Sequence, residues 1–362
     1  MGMPVAELDR LVDEVGRDPD APGEWLTRLR GAVAEFARPA TVQLVGRAGS
    51  GRTSIVRALD LSADAELAPI DDPTVPAGPR PDADVVLHVV ADAMQPGDRH
   101  LLTDRPTASR LIVLNKADAV GPNPAAALDR CAEYAARTGV PALPLVAAVA
   151  ARLSAIGVPS ADLAEFRALA ASGRPAPDAT VAEHPLLTHW QPFGVGCALT
   201  VLRHDPAATA DRLHQVLEAA SGVRAVRRTL RNLTERAAAL RGGQLLDELD
   251  RLAALTAAGP DGPARDALDT FRRGPIAARI GLLAGLAAAA IAASRSAGRP
   301  EQHVAEHPFT LVDPPDAATA LAAAQHWRTV ARSADSAAMR RAAERVHRGY
   351  TWSWARLDGR VD

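Results

Sequence analysis

The chain is almost without lysine. Of its 41 lysines plus arginines, Lys116 is the single lysine, so whatever bias favours arginine here spared one position. Aromatic residues make up only 3% of 362, which argues against a thick aromatic-rich sandwich and, with much of the apolar content in alanine, favours closely packed helices. Two cysteines, Cys131 and Cys197, stand far apart and fit no metal-ligand or CxxC spacing, so they read as reduced thiols. A net charge of −2 and an isoelectric point near 6.6 give no global electrostatic case for nucleic acid or anionic lipid. The start, MGMPVAELDRLVDEVG, is charged and amphipathic rather than an apolar signal segment, so a cytoplasmic protein is expected, at most peripheral to the inner face of the membrane.

What is present centres on Val42–Val56, VQLVGRAGSGRTSIV, which reads as strand, glycine-rich turn and helix. The phosphate-cradle pattern GxxxxGK[ST] needs glycines so that backbone N–H groups can close on a phosphate, a cation for the β/γ oxygens and a hydroxyl for Mg²⁺. Gly46, Gly51 and Thr53 fit, and Arg52 replaces the lysine. The candidate phosphate-binding set is Gly46, Gly49, Ser50, Gly51, Arg52, Thr53 and Ser54. Arginine is a wide planar fork rather than a compact ammonium, and at a tight phosphate site the two are not interchangeable.

A second stretch, Leu111–Asp118, is an apolar strand ending in NKxD, the guanine-reading signature of GTPases. There the Asp118 carboxylate would accept from guanine N1 and N2 as a bidentate pair, while Asn115 and the Lys116 stem fix the loop and cover the base. The only lysine of the chain lies in this motif.

Between the two stretches the sequence is rich in proline, and the two γ-phosphate sensors that hydrolysis requires are altered. No threonine stands between Thr53 and Asp71, and Ile70-Asp-Asp-Pro-Thr74 puts threonine where a DxxG motif has glycine. Asp71 and Thr53 are the candidate Mg²⁺ residues; for Asp71 the competing expectation is an Asx-type turn before proline. Residues 84–92 read as a central parallel strand holding His88 as a hydrogen-bonded core residue. A helix over 125–139 and a strand over 140–146 complete an alternation that places a mostly parallel sheet over 40–150, with the ligand at the strands' carboxyl ends.

Residues 3–37 read as two amphipathic helices, and 174–189 as a proline-rich linker. Val223, Val226, Leu230, Leu233, Ala237 and Leu240 keep a 3-4 spacing that predicts a helical-bundle seam, broken at Gly242-Gly243 and resumed by Leu246, Leu249 and Ala253. Arg224, Arg227, Arg228 and Arg231 beside it read as a solvated face. Fourteen residues without charge, Ile280–Ala293, are short for a spanning helix and favour a buried one. His303-Val-Ala-Glu-His307 matches HxxEH formally but is followed at once by Pro308, and is set aside as a metal site.

With GRAGSGRTS, NKAD and SGVRAVRRTLRNLTERAAALRGGQLLDELDRL in view, the chain resembles the bacterial dynamin-like GTPases. The resemblance implies an α/β fold: a P-loop GTPase domain with a mostly parallel sheet, plus a C-terminal α-helical bundle joined by N-terminal helices. The corresponding division is 1–38 for helices packing on the bundle, 39–172 for the nucleotide domain and 186–362 for the bundle. It further implies GTP or GDP with Mg²⁺ as ligands and a homo- or hetero-oligomer with another dynamin-like GTPase. No nucleic-acid partner is expected, and membrane contact has no support in the residues. The altered switch positions favour a nucleotide-binding, hydrolysis-poor homologue that pairs with or regulates a competent partner. A slow working GTPase and a helical scaffold with a vestigial pocket are the alternatives.

Overall fold

Among the described residues four short runs form the sheet, and the two central ones are buried throughout, because Val, Leu and Ile at consecutive positions suit strands covered on both faces. They are β1 (Val42–Gly46), β2 (Val85–Val90), β3 (Arg110–Asn115) and β4 (Ala142–Leu145), all parallel in the order β1-β2-β3-β4. The computed structural model describes residues 5–74, 81–91, 93–96, 98, 102, 109–121, 124–172, 184–256, 262–297 and 312–361. Asp92, most of the expected linker and the HxxEH stretch lie outside them.

Alternation at period two sends Leu44, Leu87, Val89, Leu111 and Val113 to one face, where helices α3 (Arg52–Leu59) and α5 (Ala147–Ile156) cover them. Val90, Ile112 and Leu114 go to the other, under helix α4 (Pro124–Thr138) through Ala127, Cys131 and Tyr134. Pro144 is tolerated in β4 because that strand is the sheet's edge among the described residues. Burial pushes the Cys131 thiol up to about 12, so it acts as a small hydrophobe rather than a nucleophile.

After α3 the chain turns back along the open edge of β1. Glu66 makes a parallel bridge to Leu44, Leu67 N–H donates to the Leu44 carbonyl at 3.1 Å, and Ile70 N–H to that of Gly46 at 3.1 Å. From there the chain enters β2 on the opposite side of β1. Right-handed connections demand that a helix on one face lead one way and a helix on the other face lead the other way. The strand connections therefore diverge at β1, and a crevice opens at its carboxyl end.

The remaining helices are α1 (Val5–Gly16), α2 (Gly23–Ala37), α6 (Ser160–Ala171), α7 (Pro185–His204), α8 (Ala210–Ala220), α9 (Val223–Thr256), α10 (Pro263–Arg273), α11 (Pro275–Ala297), α12 (Ala317–Ser333) and α13 (Ala337–Leu357). Contacts cluster them into one unit of Thr41–Thr234 and another of Met1–Ala40 with Glu235–Asp362. The division falls inside α9 rather than near residue 186, so α6, α7 and α8 belong with the sheet and share a core around Trp190, Phe166 and Leu199. In the other unit, Leu8, Leu11, Leu29 and Phe36 of α1 and α2 pack with Leu245, Leu249, Leu252 and Leu268. α11, α12 and α13 close around Leu282, Trp327, Val346 and Tyr350.

The 3-4 stripe on α9 is helical as its spacing requires, but its first half is not a bundle seam. Val223, Val226, Leu230 and Leu233 bury against the sheet core, while Leu245 onward faces α1 and α2. Periodicity fixes the stripe and leaves its partner open. The expected break at Gly242-Gly243 is also absent, since one continuous helix runs through both. These glycines admit neighbours instead: a Cβ at Gly242 would stand 2.8 Å from Ile280 Cγ2, and one at Gly243 3.1 Å from Ala284 Cβ. Of the four arginines beside the stripe, Arg228 and Arg231 are exposed as a solvated face requires, while Arg227 donates to the Ala58 carbonyl at 2.8 Å and to Glu218 at 3.0 Å, and the exposed Arg224 to Glu218 at 2.7 Å. α11 is long and apolar enough to cross a membrane by length and composition; half of its apolar window is buried in the protein, and no residue from Ile276 to Ala293 is fully exposed.

One polar knot braces the sheet unit. Asp162 accepts at 2.7 Å from both Trp190 Nε1 and the Arg152 guanidinium, which also lies 4.9 Å from the Trp190 ring centroid. Burial alone would raise the Asp162 carboxyl, but the Arg152 and Trp190 donors outweigh it and hold the group below the ordinary carboxylate range. A depressed carboxyl contributes stability above its unfolded pKa of about 3.9 and loses it as pH falls through the lower folded value. Asp162→Ala is expected to cost about 3 kcal/mol, since it leaves a half-buried guanidinium and a buried indole N–H unpaired. Urea denaturation should show that loss at neutral pH and a smaller one near pH 3; an equal loss at both would contradict it.

Candidate functional site at the carboxyl ends of β1 and β3

The glycine-rich turn follows β1 directly, and its glycines are where geometry leaves no alternative. A Cβ at Gly46 would stand 2.6 Å from the Val89 carbonyl oxygen, and Gly51 combines φ +85° with a Cβ position 2.2 Å from Asn115 Nδ2. Gly51 then starts α3, whose apolar Ile55, Val56 and Leu59 anchor it to the sheet. In an α-helix the first N–H groups lack a carbonyl one turn back, so Arg52, Thr53 and Ser54 present donors at this end.

Asn115 ties the site together. Its Nδ2 donates to the Ser50 carbonyl at 2.9 Å, its Oδ1 accepts from Ala147 N–H at 3.1 Å, and it is buried. Lys116, in the left-handed region at φ +55°, carries its Nζ back over the turn and donates to the Gly49 carbonyl at 3.0 Å. Asp118 follows at a half-exposed position, and its carboxylate takes no hydrogen-bond partner among the described residues. The two stretches singled out in the sequence are therefore held together, by bonds between residues 65 and 67 apart in the chain.

Other residues of the set face elsewhere. The Arg52 side chain is 8% exposed, with Nη1 donating to the Leu67 carbonyl and Nη2 lying 3.6 Å from Glu66 Oε1. Thr53 Oγ1 donates to the same Glu66 carboxylate, 2.9 Å from Oε2 and 3.2 Å from Oε1. Asp71 Oδ1 accepts from Ala48 N–H at 2.8 Å, and its Oδ2 lies 3.6 Å from Arg47 Nε. The Ala48 N–H, helped by the positive charges of Arg47 and Arg52, holds the Asp71 carboxyl below the ordinary range. The Asx turn before Pro73 belongs to Asp72, which accepts from Thr74 N–H at 2.8 Å and Thr74 Oγ1 at 2.6 Å.

A cavity of about 380 Å³ opens beside the turn, lined by Arg47, Ala48, Gly49, Ser50, Ala91 and Asp98 among others. That volume is in the range of small-molecule sites. The buried Ser50 hydroxyl has no partner among the described residues. Below it, His88 Nε2 pairs with Asp98 Oδ1 at 3.1 Å, and Asp98 Oδ2 accepts from Gln95 N–H at 2.7 Å, so His88 is the hydrogen-bonded core residue that its strand position implies.

No family model matches the chain. No curated protein matches it either, so the reading of this site rests on its own geometry.

Sequence reasoning missed Glu66 and Asp98. Neither lies in a recognisable motif; the one signal for Glu66 is its place between the apolar Ala65 and Leu67, in a segment that can run beside β1. Among the described residues no group of three or more His, Cys, Asp or Glu is placed to hold a metal ion. Any Mg²⁺ here would need phosphate oxygens to complete its shell beside the Thr53 hydroxyl, which is how that ion is commonly held.

Proposed function

We propose that the sheet unit is a P-loop GTPase-type domain that binds guanine nucleotide, in a dynamin-like GTPase homologue whose switch positions have lost the means of efficient hydrolysis. The observation that carries this reading is the joining of turn and NKxD through Asn115 and Lys116, beside an Asp118 carboxylate with no hydrogen-bond partner among the described residues. The turn and the first turn of α3 would receive the phosphates, and Asp118 the base. The Thr53 hydroxyl is the candidate Mg²⁺ ligand; when bound, Mg²⁺ supplies neutralisation of phosphate charge. Arg52 departs from the cradle lysine in its direction, since Leu67 and Glu66 hold its head away from the turn. A regulatory or paired role with a competent GTPase follows from occupancy without turnover.

The test is turnover. Phosphoryl transfer depends on positioning and charge stabilisation at the γ-phosphate, and the lysine, the threonine sensor and the DxxG glycine are all altered. Purified protein should bind GTP yet release phosphate far more slowly than about 1 s⁻¹, and Arg52→Lys should not restore an ordinary rate, because the other two parts are still missing. A wild-type rate of that order, or a large loss on introducing lysine, would contradict the reading.

A further inference from the structure

We infer that this site takes a nucleoside diphosphate in preference to a triphosphate, with the Glu66 and Asp71 carboxylates standing where a third phosphate would have to be received. The inference rests on the guanine-nucleotide reading above and assigns these two residues as its specificity determinants.

The first support is how firmly the carboxylates are placed. Residues 66–70 are not a loose loop: the Leu44–Glu66 bridge and the Leu67 and Ile70 N–H bonds to β1 fix them along its edge. The second is what the carboxylates occupy. Glu66 takes the Thr53 hydroxyl and lies against Arg52, while Asp71 takes the Ala48 N–H and lies against Arg47. Four groups that could neutralise a terminal phosphate, namely two guanidiniums, a hydroxyl and a backbone amide, are thus already committed to anions of the chain itself.

The third support is direction. The base would sit at Asp118, after β3, and the sheet order runs from β3 through β2 to β1 and then to the 66–70 edge. A nucleotide laid from Asp118 across the turn has its terminal phosphate at the end where the carboxylates stand. Like charges brought together at such a site repel through a medium that screens less than water. A diphosphate avoids that encounter and keeps the helix-start donors of Arg52, Thr53 and Ser54.

The experiment compares GDP with a non-hydrolysable GTP analogue by calorimetry, with Mg²⁺ and in EDTA, on wild type and on the Glu66→Gln/Asp71→Asn variant. These swaps keep shape and hydrogen-bonding capacity while removing charge. Wild type should favour GDP at least tenfold in both conditions. The variant should close most of that gap by gaining affinity for the analogue, with GDP affinity changed less than about threefold. Wild type that favours the analogue with Mg²⁺, and a variant that loses this affinity, would show the carboxylates to be metal ligands for a triphosphate and overturn the inference. Equal affinities in wild type would overturn it as well. Should the double variant not fold, the wild-type ratio and the single variants still decide. Absence of binding by either nucleotide would sink the guanine reading itself, a result distinguishable from loss of the diphosphate preference alone.

Discussion

Asp118→Asn should reverse the base preference of the site, weakening GDP and strengthening the xanthine analogue XDP. Guanine presents two donors, N1–H and the N2 amine, to a carboxylate, and a bidentate pair of this kind is worth about 1–3 kcal/mol. Asparagine offers one acceptor and one donor, so it leaves the guanine amine facing an N–H. Xanthine carries an oxygen in place of that amine, which the asparagine N–H can satisfy. Loss on one base and gain on the other together should shift the GDP-to-XDP ratio by about 10²–10³, at 1.4 kcal/mol per tenfold. Asp118 is suited to the exchange because its carboxylate makes no hydrogen bond within the described residues, so the substitution leaves the protein's own contacts intact. Competition with a fluorescent guanine nucleotide would measure the ratio. An unchanged ratio would mean that Asp118 does not read the base.

Gly51→Ala should be the most damaging small substitution in the turn. At φ +85° an alanine costs about 1–2 kcal/mol in backbone strain, and its Cβ would fall 2.2 Å from Asn115 Nδ2. The asparagine must then move, giving up its bond to Ser50 O or to Ala147 N–H, and a buried polar group left unsatisfied costs about 1–3 kcal/mol more. Gly49→Ala is the control, with φ +72° but nothing within 4 Å of the added carbon, so only the backbone cost applies. Urea denaturation should place Gly51→Ala below Gly49→Ala by about 1–3 kcal/mol. GDP binding should fall more than tenfold in Gly51→Ala, because Asn115 holds both the turn and the start of α5. Equal stability of the two variants would contradict the proposed tie.

The strands were legible because Val, Leu and Ile in unbroken runs have few alternatives to a buried parallel sheet, and His88 could be placed inside one. The pairing of Gly46–Ser54 with Asn115–Asp118 was legible as residue types and spacing, though the bond from Lys116 to Gly49 was not, since a flexible side chain's target is set by tertiary geometry. Arg52 was the least legible. Its sequence position suggests phosphate, whereas its reach lets it cap Leu67 and meet Glu66, and nothing in the sequence marks Glu66 as the competitor. The 3-4 stripe of α9 misled because a helix shows the same periodicity whether it buries against a sheet or against other helices. Gly242 and Gly243 misled because glycine that breaks a helix and glycine that lets a neighbour approach are the same letter.

The central claim, that the site at the carboxyl ends of β1 and β3 reads guanine, is tested most directly by calorimetric titration of the purified, nucleotide-stripped protein with GDP and with ADP. The account predicts one GDP site per chain and ADP binding weaker by at least tenfold, the scale of one bidentate base contact. Equal affinities for the two nucleotides, or no heat of binding for GDP, would contradict it.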